Sequence, residues 1–210
     1  MPGKNTYRIG SAGDANYPTL AAIPSEILAQ GDSTFLVYPG TYTALTSAVL
    51  ADAAFVGLGD REEIVVNGAF TIANTSTGTT LFENMTFVGT NATAGSGSVC
   101  ISKLGAASAP IHLRNVTLSN ADFGISHSAE LSFATTTRQL TVDYVDATGV
   151  DKAIRANANV AINFSALNTS SNAYITPGGG AGTIAVTVRA STSGGSNTGA
   201  STETVLALIS

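Results

Sequence analysis

The chain is short of charge. Only 11% of its 210 residues are Asp, Glu, Lys or Arg, against about 25% in ordinary globular domains. Thr, Ser, Asn and Gly must therefore cover the surface. Tryptophan is absent, and Cys100 is the one cysteine. A lone cysteine excludes an internal disulfide framework and reads as a small buried residue. The two histidines, His112 and His127, form no pair at zinc spacing, and no cofactor is expected. No Lys/Arg cluster accompanies the net charge of −5, which argues against binding nucleic acid. No apolar run approaches the roughly 20 residues of a membrane span, so no membrane partner is expected. The opening MPGKNTYRIG lacks the apolar stretch of a secretory signal. The expectation is synthesis in a cytoplasm without processing. Sequons such as those at Asn74, Asn84, Asn91, Asn115 and Asn168 are then chance products of a Thr- and Ser-rich chain.

What is present points to strands. Hydrophobic residues make up 44% of the chain and glycines number 22, a profile that suits an all-β protein with many tight turns. The helix candidate is NYPTLAAIPSEILAQGD, with Pro18 suited to a first helical position and Gly31 to a stop. Leu20, Ile23, Ile27 and Leu28 share a face, and Pro24 divides the segment into two short pieces. From Thr34 onward, short β runs alternate with Gly, Asn, Ser and Thr.

Several runs resemble one another. LFENMTFVGTN at 81–91 and IHLRNVTLSN at 111–120 match when Asn84 is set against Asn115, which also pairs Met85 with Val116, Thr86 with Thr117 and Phe87 with Leu118. LTVDYVDATG at 140–149 and VAINFSALNT at 160–169 are looser copies. Repeats at such offsets signal a solenoid, in which each repeat buries its apolar face by stacking on the next. A β-sandwich with chance strand similarity is the alternative. TPGGGAG at 176–182 marks a break, followed by TIAVTVRAS and the apolar ending TVLALIS. A hairpin arm at 176–210 is expected there, either closing the last coil or meeting another subunit through Val205, Leu206, Leu208 and Ile209.

Residues 17–68, with their Ile-Pro helix end, the stretch FLVYPGTY and a Gly-rich turn, resemble the opening of the pectin methylesterase branch of the pectin-lyase-like families; LFENMTF is similar to its next coil. The resemblance implies an all-β, right-handed, single-stranded parallel β-helix, with an N-terminal cap at 1–33, the helix proper at 34–175 and the arm beyond. It casts Pro39 and Gly40 as a corner between stacked sheets. For an esterase it implies a nucleophilic and an acid/base aspartate, to which Asp143 in TVDYVDATG and Asp122 in NADFG correspond. Val99 and Ala121 stand where that family places glutamines, and neither can donate to an oxyanion. Losing one such donor costs about 10²–10³ in rate. No catalytic role is therefore expected, and Asp122 and Asp143 remain sites of the alternative reading only.

Other constellations are weaker still. His127 lies near Ser126, Ser128 and Glu130, but neighbours in sequence rarely meet in triad geometry. Asp143, Asp146 and Asp151 match no calcium loop. A row of Tyr38, Tyr42 and Tyr144 would serve a glycan-binding, tail-spike-like module. The leading expectation is a virion structural protein, a bacteriophage capsid decoration or cement protein. Its partners would be its own copies in a homotrimer and a major capsid protein or other virion protein.

Overall fold

The computed structural model describes residues 5–103, 110–127, 138–156, 160–164, 167–168, 173–177, 185–188, 196–197 and 204–206. These residues form a parallel β-solenoid with three faces. On the first face β1 (Asn5–Ile9) pairs with β2 (Ser33–Val37), and β2 with β4 (Ala51–Gly57), all parallel. The stack continues through the starts of three long strands: β7 (Thr77–Asn91), β9 (Ile111–His127) and β10 (Arg138–Ala156). The second face holds β3 (Gly40–Thr43), β5 (Ile64–Asn67) and the middles of the long strands. The third holds β6 (Phe70–Ile72), β8 (Val99–Lys103) and the ends of β9 and β10. The next coil is split into β11 (Val160–Phe164), β12 (Leu167–Asn168) and β13 (Ala173–Pro177), one on each face.

The repeat alignment read from the sequence is the register of the fold. Met85 lies opposite Val116, Thr86 opposite Thr117 and Phe87 opposite Leu118. The looser copies follow, with Val145 opposite Val116 and Leu167 opposite Val145. Each face alternates, so residues pointing inward at one register stack along the axis. Tyr7, Phe35, Phe55 and Phe82 occupy one such column, with successive ring centroids 5.6, 4.8 and 5.5 Å apart. Phe70 and Phe87 meet this column edge-on. Contacts of this kind add about 0.5–1.5 kcal/mol each beyond area burial. Leu113 and Val142 carry the column upward, both fully buried.

The corners are made by single residues in the left-handed region. Asn84, Asn115 and Tyr144 turn successive coils from the first face to the second, at φ of 54°, 52° and 55°. Asp32 and Asp52 (φ 48° and 43°) lead into the first face on the coils below. Asn and Asp tolerate this region because their short polar side chains bond locally. Pro39 and Gly40 form the corner after β2, where the Tyr42 hydroxyl donates to the Tyr38 carbonyl at 2.7 Å. FLVYPGTY thus belongs to the first complete coil, one rung above β1.

The N-terminal segment closes the base. A 3-10 turn (Leu20–Ala22) and helix α1 (Ser25–Ala29) flank Pro24, the two short pieces expected. Leu20, Ile23 and Leu28 are buried against the first coils and Ile27 packs beside them. Tyr17 bridges Ile9, protecting the free edge of β1. Among the described residues the stacked sheet begins with β1, so the first rung lies within residues 1–33. A second 3-10 turn spans Arg61–Glu63.

The C-terminal end corrects one expectation. β14 (Ala185–Val188) pairs with β11, and β16 (Thr204–Leu206) with β14, both in parallel, while β15 (Ser196–Asn197) pairs with β13. A hairpin requires antiparallel neighbours. Alternating apolar residues specify a strand but not its direction. These strands are further rungs of the solenoid. Val205 and Leu206 lie on β16, and Leu208 and Ile209 fall outside the described residues.

Candidate functional site

Asp122 and Asp143 each lie in a separate cluster of ionisable side chains. The first surrounds Asp122, on β9 where the chain enters the third face. Its carboxylate is 1% exposed. The Gly97 N–H donates to Oδ2 at 2.8 Å, and Lys152 Nζ donates to Oδ1 at 3.1 Å. The Asp122 N–H in turn donates to Ser98 Oγ at 3.0 Å. Burial alone pushes this carboxyl up, but the Gly97 N–H, Lys152 and the Gly95 N–H together hold it below the usual carboxylate range. Lys152 is shared with Asp151, which with Asp122 outweighs burial and raises its pKa. Lys152 and Arg155 also lie 5.1 and 5.2 Å from the centroid of the Phe123 ring. Asp122 thus anchors the glycine-rich loop between β7 and β8 to the coil above.

The second cluster lies on the outer side of the first face. His112 Nε2 and Asp143 Oδ2, on β9 and β10, are hydrogen-bonded at 2.7 Å. Beside His112 on β9, Arg114 pairs with Glu83 on β7. Glu83, Arg114 and Asp143 occupy one register on three successive coils. Charges alternate up this column, and the Arg114 guanidinium is held above its ordinary range by Glu83 and, more weakly, by Asp143.

The structure does not bring Asp122 and Asp143 together. Asp143 is opposite Arg114 on the first face, whereas Asp122 sits between Ala121, opposite Val150, and Phe123, opposite Lys152, at the third. Ala121 is fully buried. Val99 is half-buried opposite Phe123. Neither side chain supplies a donor to either carboxylate.

The remaining candidates separate as well. Asp146 Oδ1 accepts from the Thr148 N–H at 3.0 Å, and Asp151 is engaged by Lys152. Among the described residues no three His, Cys, Asp or Glu side chains converge closely enough to hold a metal ion. The tyrosine row is broken. Tyr42 is 5% exposed inside the core, Tyr38 donates to Asp14 at 2.7 Å, and Tyr144 alone stands out, 69% exposed. His127 ends β9 opposite Lys103 and Ala156, and its proposed partners Ser128 and Glu130 lie outside the described residues.

Three side-chain placements are not legible in the sequence. The His112–Asp143 contact spans 31 residues and follows only once Thr141 is known to lie opposite His112. Arg61 reaches over the corner to Asn115 Oδ1 at 3.4 Å and to Asp146 at 4.0 Å. Lys103, fully buried, donates to the Ala73 carbonyl at 2.7 Å. Among the described residues no helix is long and apolar enough to cross a membrane.

No protein-family model matches this chain, and no curated protein or solved structure matches it significantly.

Proposed function

We propose that this chain is a non-catalytic virion structural protein, a decoration or cement subunit. It self-associates as a homotrimer and ties neighbouring copies of a major capsid protein, or another virion protein, together. The observation that carries the reading is the separation of Asp122 and Asp143. The two carboxylates lie on different faces, Asp122 paired with Lys152 and Asp143 hydrogen-bonded to His112. A solenoid of this kind is a stiff spacer, and fold alone assigns no chemistry. Weak contacts from many copies would sum on a repeating surface. The last described rung, β16, has a strand partner on one side only among the described residues, which supports an assembly role for that edge.

The test is sedimentation of the full-length protein beside a Val205→Asp/Leu206→Asp variant. Truncation at residue 176 is unsuitable, because it would remove rungs of the solenoid itself. A trimer that dissociates in the variant is the expected result. A monomer at all concentrations, with hydrolysis of a methyl-esterified uronan abolished by Asp143→Asn, would replace the structural reading with a catalytic one.

A further inference from the structure

The outer side of a solenoid face is normally polar, because it meets water. The lower coils of the first face depart from this rule. Phe35, Val37, Phe55 and Phe82 point inward and are buried. Alternation then directs Leu36, Ala54, Val56 and Leu81 outward, and all four are half-buried. The register makes them a compact block: Leu36 lies opposite Val56, and Ala54 opposite Leu81. Leu58, at the corner just beyond Val56, is 38% exposed. An apolar centre is therefore carried on a sheet face where no element of the described chain covers it.

Its rim is polar and asymmetric. Below, Arg8 pairs with Asp14. Above, Arg114 pairs with Glu83 and His112 with Asp143. Arg8 and Asp14, and Arg114 and Glu83, neutralise one another, while His112 and Asp143 are hydrogen-bonded. Along one side runs a groove of about 290 Å³ lined by Asp32, Thr34, Asp52, Thr79, Leu81 and His112, among others. Asp32 and Asp52 are exposed, and among the described residues no cation pairs with either. Asp52 accepts the Thr79 N–H, at 2.8 Å. The uncompensated charge on the rim is negative, and it sits beside the aliphatic block.

We propose that this face is a docking site for a segment of a partner protein that presents an aliphatic side chain flanked by lysine or arginine. The aliphatic anchor covers Ala54, Val56 and Leu81. The basic side chains lie along the groove, their methylenes against Leu81 and their charged ends at Asp32 and Asp52. An apolar centre within a polar rim is the usual anatomy of a protein interface, and charge complementarity selects the partner. The inference rests on the first face alone and holds whether or not the chain forms trimers.

The test uses the full-length protein and three fluorescently labelled, end-blocked hexapeptides: Lys-Leu-Lys-Val-Lys-Leu, Glu-Leu-Glu-Val-Glu-Leu and Lys-Ser-Lys-Ser-Lys-Ser. Anisotropy should detect saturable binding of the first and not of the other two. Asn tolerates the left-handed corner, so Asp32→Asn/Asp52→Asn keeps the backbone. It should weaken binding roughly two- to thirtyfold, the range for two exposed ion pairs. Leu81→Arg should abolish binding while the melting temperature stays near that of the parent. Equal binding of the acidic or serine peptide, no saturable binding of any, or no loss in the double Asn variant would overturn the proposal.

Discussion

Asn115 Nδ2 donates to Asn84 Oδ1 at 2.8 Å, joining two coils at the same corner of the solenoid. Both residues are left-handed, and Arg61 closes the pair from outside through Asn115 Oδ1. Tyr144 holds the next position up, at φ 55° and 69% exposed. A bulky residue in this region is strained by about 1–2 kcal/mol. Tyr144→Asn should relieve part of that strain and extend the ladder. The expected outcome is a gain of about 0.5–1 kcal/mol, read as a rise of about 1–4 °C in Tm. Asn115→Ala should move Tm the other way, since it removes the rung and places an alanine in the same region.

Gly57 has no room for a side chain. A Cβ there would come within 2.0 Å of the Asn84 carbonyl oxygen and 2.5 Å of Ile64 Cδ1. The clash with Asn84 involves backbone, so it can be relieved only by separating two coils. Gly57→Ala should destabilise by about 1–3 kcal/mol, the usual cost of overpacking. Chemical denaturation would measure it, and an unchanged midpoint would contradict the close stacking at this corner.

The Asp122 cluster predicts acid sensitivity. Its folded-state carboxyl lies below the ordinary range. It therefore contributes stability that is complete above the unfolded value, about 3.9, and is lost as pH falls through the folded value. Asp122→Asn should flatten this acid limb. At neutral pH it should cost about 1–3 kcal/mol, because a buried, charge-assisted hydrogen-bond network loses its acceptor. Lys152→Met should flatten the same limb less, since the Gly97 and Gly95 N–H groups remain. Melting temperatures from pH 2 to 7 would separate the variants.

The sequence carried the stacking where the corner residue itself repeats. Asn84 and Asn115 are identical and flanked by matching apolar residues, so alignment found their register. Tyr144 fills the same backbone position with a different side chain, and the copy at 140–149 looked looser for that reason. Direction was invisible at the C-terminus, because period-two alternation is the same in parallel and antiparallel strands. The faces carrying Asp122 and Asp143 were hidden for a related cause. β9 and β10 each cross all three faces, and the left-handed residues Asn115, Asn120 (φ 53°) and Tyr144, with the irregularity at Asp146–Val150, set which residues fall on which. The outer apolar block escaped notice because Leu36, Val56 and Leu81 read as ordinary core alternation until the inward set was known.

Cys100 offers a probe of the intact solenoid. It is fully buried on β8, and its thiol points to the carbonyls of Ser119 at 3.2 Å and Phe87 at 3.5 Å. Burial pushes its pKa up to about 11, only partly offset by hydrogen bonds. The thiolate is the reactive form, so a disulfide reagent at pH 8 should not label the folded protein. Labelling should begin only with unfolding, at a rate that follows coil opening around β8. The same shift makes alkaline pH unfavourable. The unfolded thiol ionises near about 8.5, the folded one near 11, so stability falls as pH rises between these values. Cys100→Ala should lose that component of the alkaline slope while paying a small cavity cost at neutral pH. Rapid labelling of the native protein at pH 8 would contradict the burial of Cys100 between β7 and β9.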